Sequence, residues 1–228
     1  MKEEQPNILK HQPKALGQKH LVNKLTHFGL VVIGAHIGVH IKNEVENFKK
    51  DKILLIEPVP HNVEAIKKNL TEYKDIVIEQ LALGNKNELR DFYFVKEESI
   101  SKLKKHWASG IGSFNKDHII NHKSKRFQVK EDDINKMSIE CIRFEDLVNK
   151  YLISSIEKLL IDVEGSEYLI LKDIDLNKVN IKKIIFEYKH FDGYFKQGPK
   201  LNEINDKLEK NNYKLTKLDE ENILAEKF

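Results

Sequence analysis

Residues 30–38 read Leu30-Val31-Val32-Ile33-Gly34-Ala35-His36-Ile37-Gly38, and nineteen residues beyond Gly38 stands Glu57, in Leu54-Leu55-Ile56-Glu57-Pro58. An apolar run that enters a glycine turn, followed by a helix-length stretch and a second apolar run ending in a carboxylate, is the pattern of a β-α-β unit. In open α/β sheets this unit lets backbone approach a nucleoside at the turn, while the acid grips the ribose. The spacing therefore predicts a nucleoside-cofactor site in the first third of the chain.

The glycines narrow the choice of cofactor. A dinucleotide fold uses G-x-G-x-x-G, whose second glycine admits a pyrophosphate and whose third packs helix on strand. This chain offers G-x-x-x-G. A cofactor without a pyrophosphate, such as S-adenosylmethionine (SAM), needs a close-packed turn and a ribose acid but no anion cradle. It suits this pattern better than a nicotinamide dinucleotide does, although glycine pairs of this kind also occur in turns that bind nothing.

The length, 228 residues, suits one domain with a core large enough to need no disulfide or structural metal. Cys141 is the only cysteine, which excludes an intrachain disulfide framework or a cysteine-based zinc site and fits a small buried apolar residue. The start of the chain, Met1-Lys2-Glu3-Glu4-Gln5-Pro6, has no apolar signal core, and no apolar run reaches bilayer-spanning length. A cytoplasmic protein without membrane contact is the expectation. Net charge is +3, almost all of the positive charge is lysine, and the arginines are Arg90, Arg126 and Arg143 alone. Without arginine clusters or a dense basic stripe, nucleic acid is not the expected partner.

Along the chain, residues 1–27 read as a polar lead-in with one amphipathic helix, from the spacing of Leu16, Leu21, Leu25 and Phe28. From residue 28 onward a single domain is expected. Strands are predicted at 30–33, 53–56 and 76–83, with helices at 38–49 and 61–73 between them; Val63, Ile66 and Leu70 form the core stripe of the second helix. Residues 89–95 alternate as an edge strand. Residues 97–133 are polar and mixed, and the glycines with Trp107 and Phe114 suit a lid over the site, with a plain linker as the alternative. A strand at 138–142, a helix at 145–150, a buried strand at 156–161, a helix carrying Leu169, Ile170 and Ile174, and a strand at 183–186 follow. A helix at 201–208 and alternating runs at 213–218 and 222–225 close the chain, the last two as an antiparallel hairpin on the sheet edge.

Ligands of a parallel sheet sit beyond the carboxyl ends of its strands, and three such ends carry acids: Glu57; Asp162, Glu164 and Glu167; and Glu187. Each has a plainer reading. Glu57 can simply end a strand, Asp162 can cap a helix, Glu167 reads best as an ion-pair partner, and Glu187 can pair with Lys189 at the surface. Asp162, Glu164 and Glu187 offer oxygen ligands of the kind magnesium takes. Carboxylates beside a cationic cofactor already have a role, however, and no metal is expected.

Taken in order, five segments resemble the FkbM family of SAM-dependent methyltransferases: Gly34-Ala35-His36-Ile37-Gly38, Glu57-Pro58-Val59-Pro60, Ala82-Leu83-Gly84, Ile161-Asp162-Val163-Glu164-Gly165-Ser166-Glu167, and Ile185-Phe186-Glu187. The resemblance implies a class I methyltransferase (Rossmann-like) fold, mostly parallel, with helices on both sheet faces. It also implies methyl transfer from SAM to a hydroxyl of a sugar or small metabolite. It assigns the cofactor to Gly34, Ala35, His36, Gly38, Glu57, Ala82 and Asp162, with Glu57 accepting from both ribose hydroxyls. Candidates for a general base are Glu187, His190 and His118. Two positions depart from the family: Val32 stands where an acid that helps hold the methionine end is usual, and Leu160 where a lysine is frequent. The first departure makes a non-catalytic nucleoside-binding protein on the same fold the main alternative.

Overall fold

The computed structural model describes residues 25–103, 106–121 and 129–228. The helix expected in the lead-in lies outside the described residues up to residue 24. Beyond it the chain is already extended: β1 (Thr26–Ile33) includes Phe28, which is buried edge-to-face on Tyr151 instead of closing a helix. Then come α1 (Lys42–Asn47), β2 (Ile53–Ile56), α2 (Pro60–Asn69) and β3 (Ile76–Glu79). Pro60 starts α2 at a position where no backbone N–H is needed, and Lys67 and Lys68 sit in its last turn, where positive charge favours the helix dipole.

The predicted strand 76–83 is two strands. β3 pairs with β2 only as far as Ile56 opposite Glu79, because β2 gives way there to Glu57 and Pro58, and proline has no N–H to continue the ladder. Freed from the sheet, the chain forms β4 (Ala82–Gly84). With β5 (Glu88–Val95) and, after α3 (Glu97–Leu103) and α4 (Lys116–Ile120), β6 (Ile134–Arg143), it builds a second sheet in the order β4-β6-β5. Residues 89–95 are thus an edge strand of this small sheet, antiparallel to β6.

The main sheet is completed by β7 (Ile153–Ile161), β8 (Asn180–Glu187), β9 (Tyr213–Lys217) and β10 (Asn222–Lys227), with α5 (Phe144–Tyr151), α6 (Glu167–Asp173) and α7 (Pro199–Lys210) between them. Its order is β3-β2-β1-β7-β8-β10-β9; all pairs are parallel except those made by β10, the expected terminal hairpin. Side chains of a strand alternate between faces. Leu30 and Val32 pack with Val45, Ile66 and Leu70 on one face, while Val31 and Ile33 pack with the α5–α7 side on the other. Helices therefore cover both faces. Strand order reverses between β1 and β7, the switch point where such sheets leave a crevice at their carboxyl ends.

Candidate functional site

A cavity of about 210 Å³, open to solvent at its mouth, lies at that switch point. Its floor is the end of β1 and β7. Gly34 has φ +90°, and a Cβ there would lie 1.7 Å from the Asp162 carbonyl oxygen, so only glycine lets the two strand ends meet. Gly34 N donates to the Ile56 carbonyl and Asp162 N to the Ile33 carbonyl, which ties three strand ends together.

Glu57 forms one wall and is 5% exposed. Its Oε2 accepts from His36 N at 2.8 Å, and its Oε1 accepts from Val59 N and from Asn62 Nδ2, both at 3.0 Å. Burial pushes its pKa up to about 7, against the pull of these three donors. A carboxylate has about four acceptor positions, so one remains, on Oε2. His36 carries out the turn's work through its backbone. It sits at φ 50°, and its ring contacts the Ser109 hydroxyl, where burial and the neighbouring His40 and His61 lower its pKa to about 4 and keep it neutral.

At the other wall, Asp162-Val163-Glu164-Gly165 folds around Glu167. This glutamate, 1% exposed, accepts from Val163 N at 2.9 Å and from Gly165 N at 3.0 Å, and so pairs with backbone rather than with the cation expected of it. The loop is bent through Glu164 at φ 56° and Gly165 at φ 116°. A non-glycine residue held in the left-handed region is strained, and such strain concentrates at functional sites. Asp162 opens onto the cavity; its pKa is raised to about 6 by burial and by Glu164 and Glu167.

Behind this loop, oxygens of Asp162, Glu167 and Glu187 lie within 4.8 Å of one another. Glu187 is 4% exposed and Lys189, read above as a surface neighbour, is largely buried with Nζ 2.5 Å from Glu187 Oε1. Burial and the nearby Asp162 raise the Glu187 pKa to about 9, opposed by Lys189. Burial would also raise Glu164, but contacts with His118 and His190 and the charge of Lys189 hold it below the usual carboxylate range. His190 Nε2 is 3.3 Å and His118 Nε2 3.7 Å from Glu164 Oε2.

The structure thus brings Gly34, His36, Glu57, Ala82 and Asp162 to one cavity wall or floor. Ala35 and Gly38 lie behind the turn: Ala35 is fully buried, and Gly38, at φ 80°, packs on Leu70. Glu187, His190 and His118 form a separate cluster that meets the cavity through Glu164. Sequence reasoning missed Asn62, whose Nδ2 also donates to the Ser109 carbonyl at 2.9 Å and so latches residues 106–110 to α2. Its available signal is a polar residue within the apolar stripe of a helix. Gly110, Gly112 and Phe114 of the 97–133 segment line the cavity as well.

The two family departures occupy facing positions. Val32 and Leu160 are register partners in the β1–β7 pair, and both pack into the cluster under α1 and α2. Val32 is 1% exposed and contributes to the core rather than to the cavity.

An α/β sheet in the order β3-β2-β1-β7-β8-β10-β9, with an antiparallel terminal strand pair and a crevice at β1/β7, is the class I methyltransferase architecture. A family model described as Methyltransferase FkbM domain matches residues 33–215, and the chain belongs to the FkbM methyltransferase family. Similar solved structures include the methyltransferase FkbM from Methylobacillus flagellatus, at 13% identity and TM-score 0.47 over 92% of this chain and 46% of that one. The chain therefore spans about half the length of that protein. Others are the Aeropyrum pernix fibrillarin in complex with natively bound SAM (8%, TM-score 0.42, 91% and 70%) and SMU.1697c of Streptococcus mutans in complex with S-adenosylhomocysteine (9%, TM-score 0.44, 90% and 91%). No curated protein matches the chain.

Proposed function

We propose that this protein transfers a methyl group from SAM to a hydroxyl of a sugar or small metabolite. The observation that carries the cofactor reading is the charge of the cavity. Its described lining holds three carboxylates, Glu57, Asp162 and Glu164, and no lysine or arginine, while the pKa values of His36 and His40 are lowered by burial. Such a wall repels a pyrophosphate and attracts a cation. A molecule that combines a ribose with a positively charged amino acid and sulfonium fits both ends.

In this reading, Glu57 Oε2 accepts from one ribose hydroxyl rather than from both, because its other acceptor positions are filled. Phe114, and Ala82 at the start of β4, offer apolar surface to the base, and Asp162 faces the methionine end. SAM supplies the activated methyl group; the protein supplies position and electrostatics. The acceptor hydroxyl must give up a proton as oxygen takes the methyl carbon, and the polar cluster of Glu164, Glu187 and His190 beside the cavity promotes that loss. Of the 97–133 segment, residues 106–121, latched through Ser109, act as a lid that excludes water.

Titration calorimetry with SAM tests the reading. The parent protein should bind one SAM per chain, and Glu57→Ala should bind about tenfold or more weakly, the loss of a charge-assisted hydrogen bond. Absence of binding at millimolar SAM would overturn it. Binding without turnover on any hydroxyl acceptor would leave the nucleoside-binding protein.

A further inference from the structure

We infer that His118, Glu164 and His190 bind one divalent transition-metal ion at the border of the cavity. The three come from separate parts of the chain: α4, the loop after β7, and the turn after β8. Their ligand atoms nevertheless lie within 4.8 Å of one another. Glu164 Oε2 stands 3.3 Å from His190 Nε2 and 3.7 Å from His118 Nε2. A tetrahedral site with bonds of about 2.0–2.1 Å has ligand-to-ligand edges of about 3.3 Å, so these atoms already stand near coordinating separation.

The donor set names the class of ion. Two imidazoles and one carboxylate suit zinc, cobalt or iron(II), whereas magnesium and calcium prefer oxygen alone. A second observation also points to a ligand. Glu164 Oε2 and His190 Nε2 are buried and, although within 3.3 Å of each other, are not aligned as a hydrogen bond; Glu187 Oε2, on a side chain 5% exposed and 3.8 Å from His190 Nε2, likewise makes none. Buried polar atoms in such loose contact are incompletely satisfied, and a cation placed between them would complete their coordination. Lys189 does not take that role: its Nζ is 3.9 Å from Glu164 but 2.5 Å from Glu187, with Glu221 at 3.6 Å, so its charge is engaged by other carboxylates.

Three protein ligands leave a coordination position open, as catalytic sites of this type do. Because Glu164 also lines the cavity, an acceptor hydroxyl can take that position and lose its proton to solvent more readily, becoming the oxygen that bonds the methyl carbon as the carbon–sulfur bond breaks. This role rests on the proposed methyl transfer; binding of the ion does not.

The test is a cobalt(II) titration of the full chain after chelator treatment, followed by ligand-field absorbance and calorimetry. One ion per chain is expected. His118→Ala and His190→Ala should each weaken binding by about a hundredfold or more, beyond what loss of an outer-sphere partner costs. Glu164→Gln, which keeps the side-chain shape, serves if a histidine variant fails to fold by circular dichroism. Absence of saturable cobalt binding, parent-like affinity in the folded variants, or magnesium binding as tight as cobalt would overturn the inference. SAM calorimetry on the metal-free protein separates the two readings: SAM binding without cobalt binding removes only the metal site, and cobalt binding without SAM binding removes only the methyltransferase reading.

Discussion

At Glu57, burial and ionisation oppose each other. Its native pKa of about 7 lies above the ordinary 4.5, so between these values the folded protein keeps a proton that the unfolded chain has released. The stability linked to this residue is complete below about pH 4.5 and is lost as pH rises through about 7. Glu57→Gln has no proton to lose. Its stability relative to the parent should therefore increase between about pH 5 and about pH 8, by at most about 3 kcal/mol, whatever its offset at low pH. Denaturant unfolding of both proteins at several pH values measures this; parallel pH profiles would refute the buried-acid assignment. Gly34 and Glu57 are legible in the sequence because strand, turn and acid follow one another within a single β-α-β unit. Asn62 is not legible in the same way, because its second partner, the Ser109 carbonyl, lies 47 residues away and the approach is made by tertiary packing.

At the scale of elements, the β1–β7 pair shows how two positions at which the family resemblance implies charges can both be apolar. Val32 and Leu160 face each other in register and share one apolar cluster. Replacement of a buried ion pair by well-packed apolar residues is often neutral or stabilising, whereas one unpaired buried charge is strongly destabilising. Val32→Asp alone should cost about 3 kcal/mol or more, and adding Leu160→Lys should recover part of that cost. Thermal or denaturant unfolding of the single and double variants gives the coupling directly, and additive effects would show that the two positions do not interact. The sequence reveals both departures one at a time. Their opposition depends on strand register, which the spacing of neither segment contains. The same limit explains β3 and β4: residues 76–83 read as one strand, and the break after Glu79 is set by the end of β2 at Pro58.

For the whole molecule, residues 106–121 link the small sheet, the cavity and α2. Asn62 bridges Glu57 and the Ser109 carbonyl, so Asn62→Ala removes the hydrogen bond that ties this segment to α2. At about 1 kcal/mol, its loss should raise the open population roughly fivefold, and proteolytic cleavage within residues 106–121 should accelerate accordingly. SAM should slow cleavage of the parent; equal cleavage rates of parent and variant would show that the latch does not hold. Among the described residues, no helix is long and apolar enough to cross a membrane. The sequence by itself determines the alternation of strands and helices outside residues 76–133, the terminal hairpin, the glycine turn and the acids at strand ends, because hydrophobic period and turn chemistry are local properties. Only the tertiary structure decides that Glu167 closes a backbone loop, that Lys189 is buried against Glu187, and that His118, Glu164 and His190 meet. Each of these depends on how segments pack and fold back on one another, which residue type and spacing do not specify.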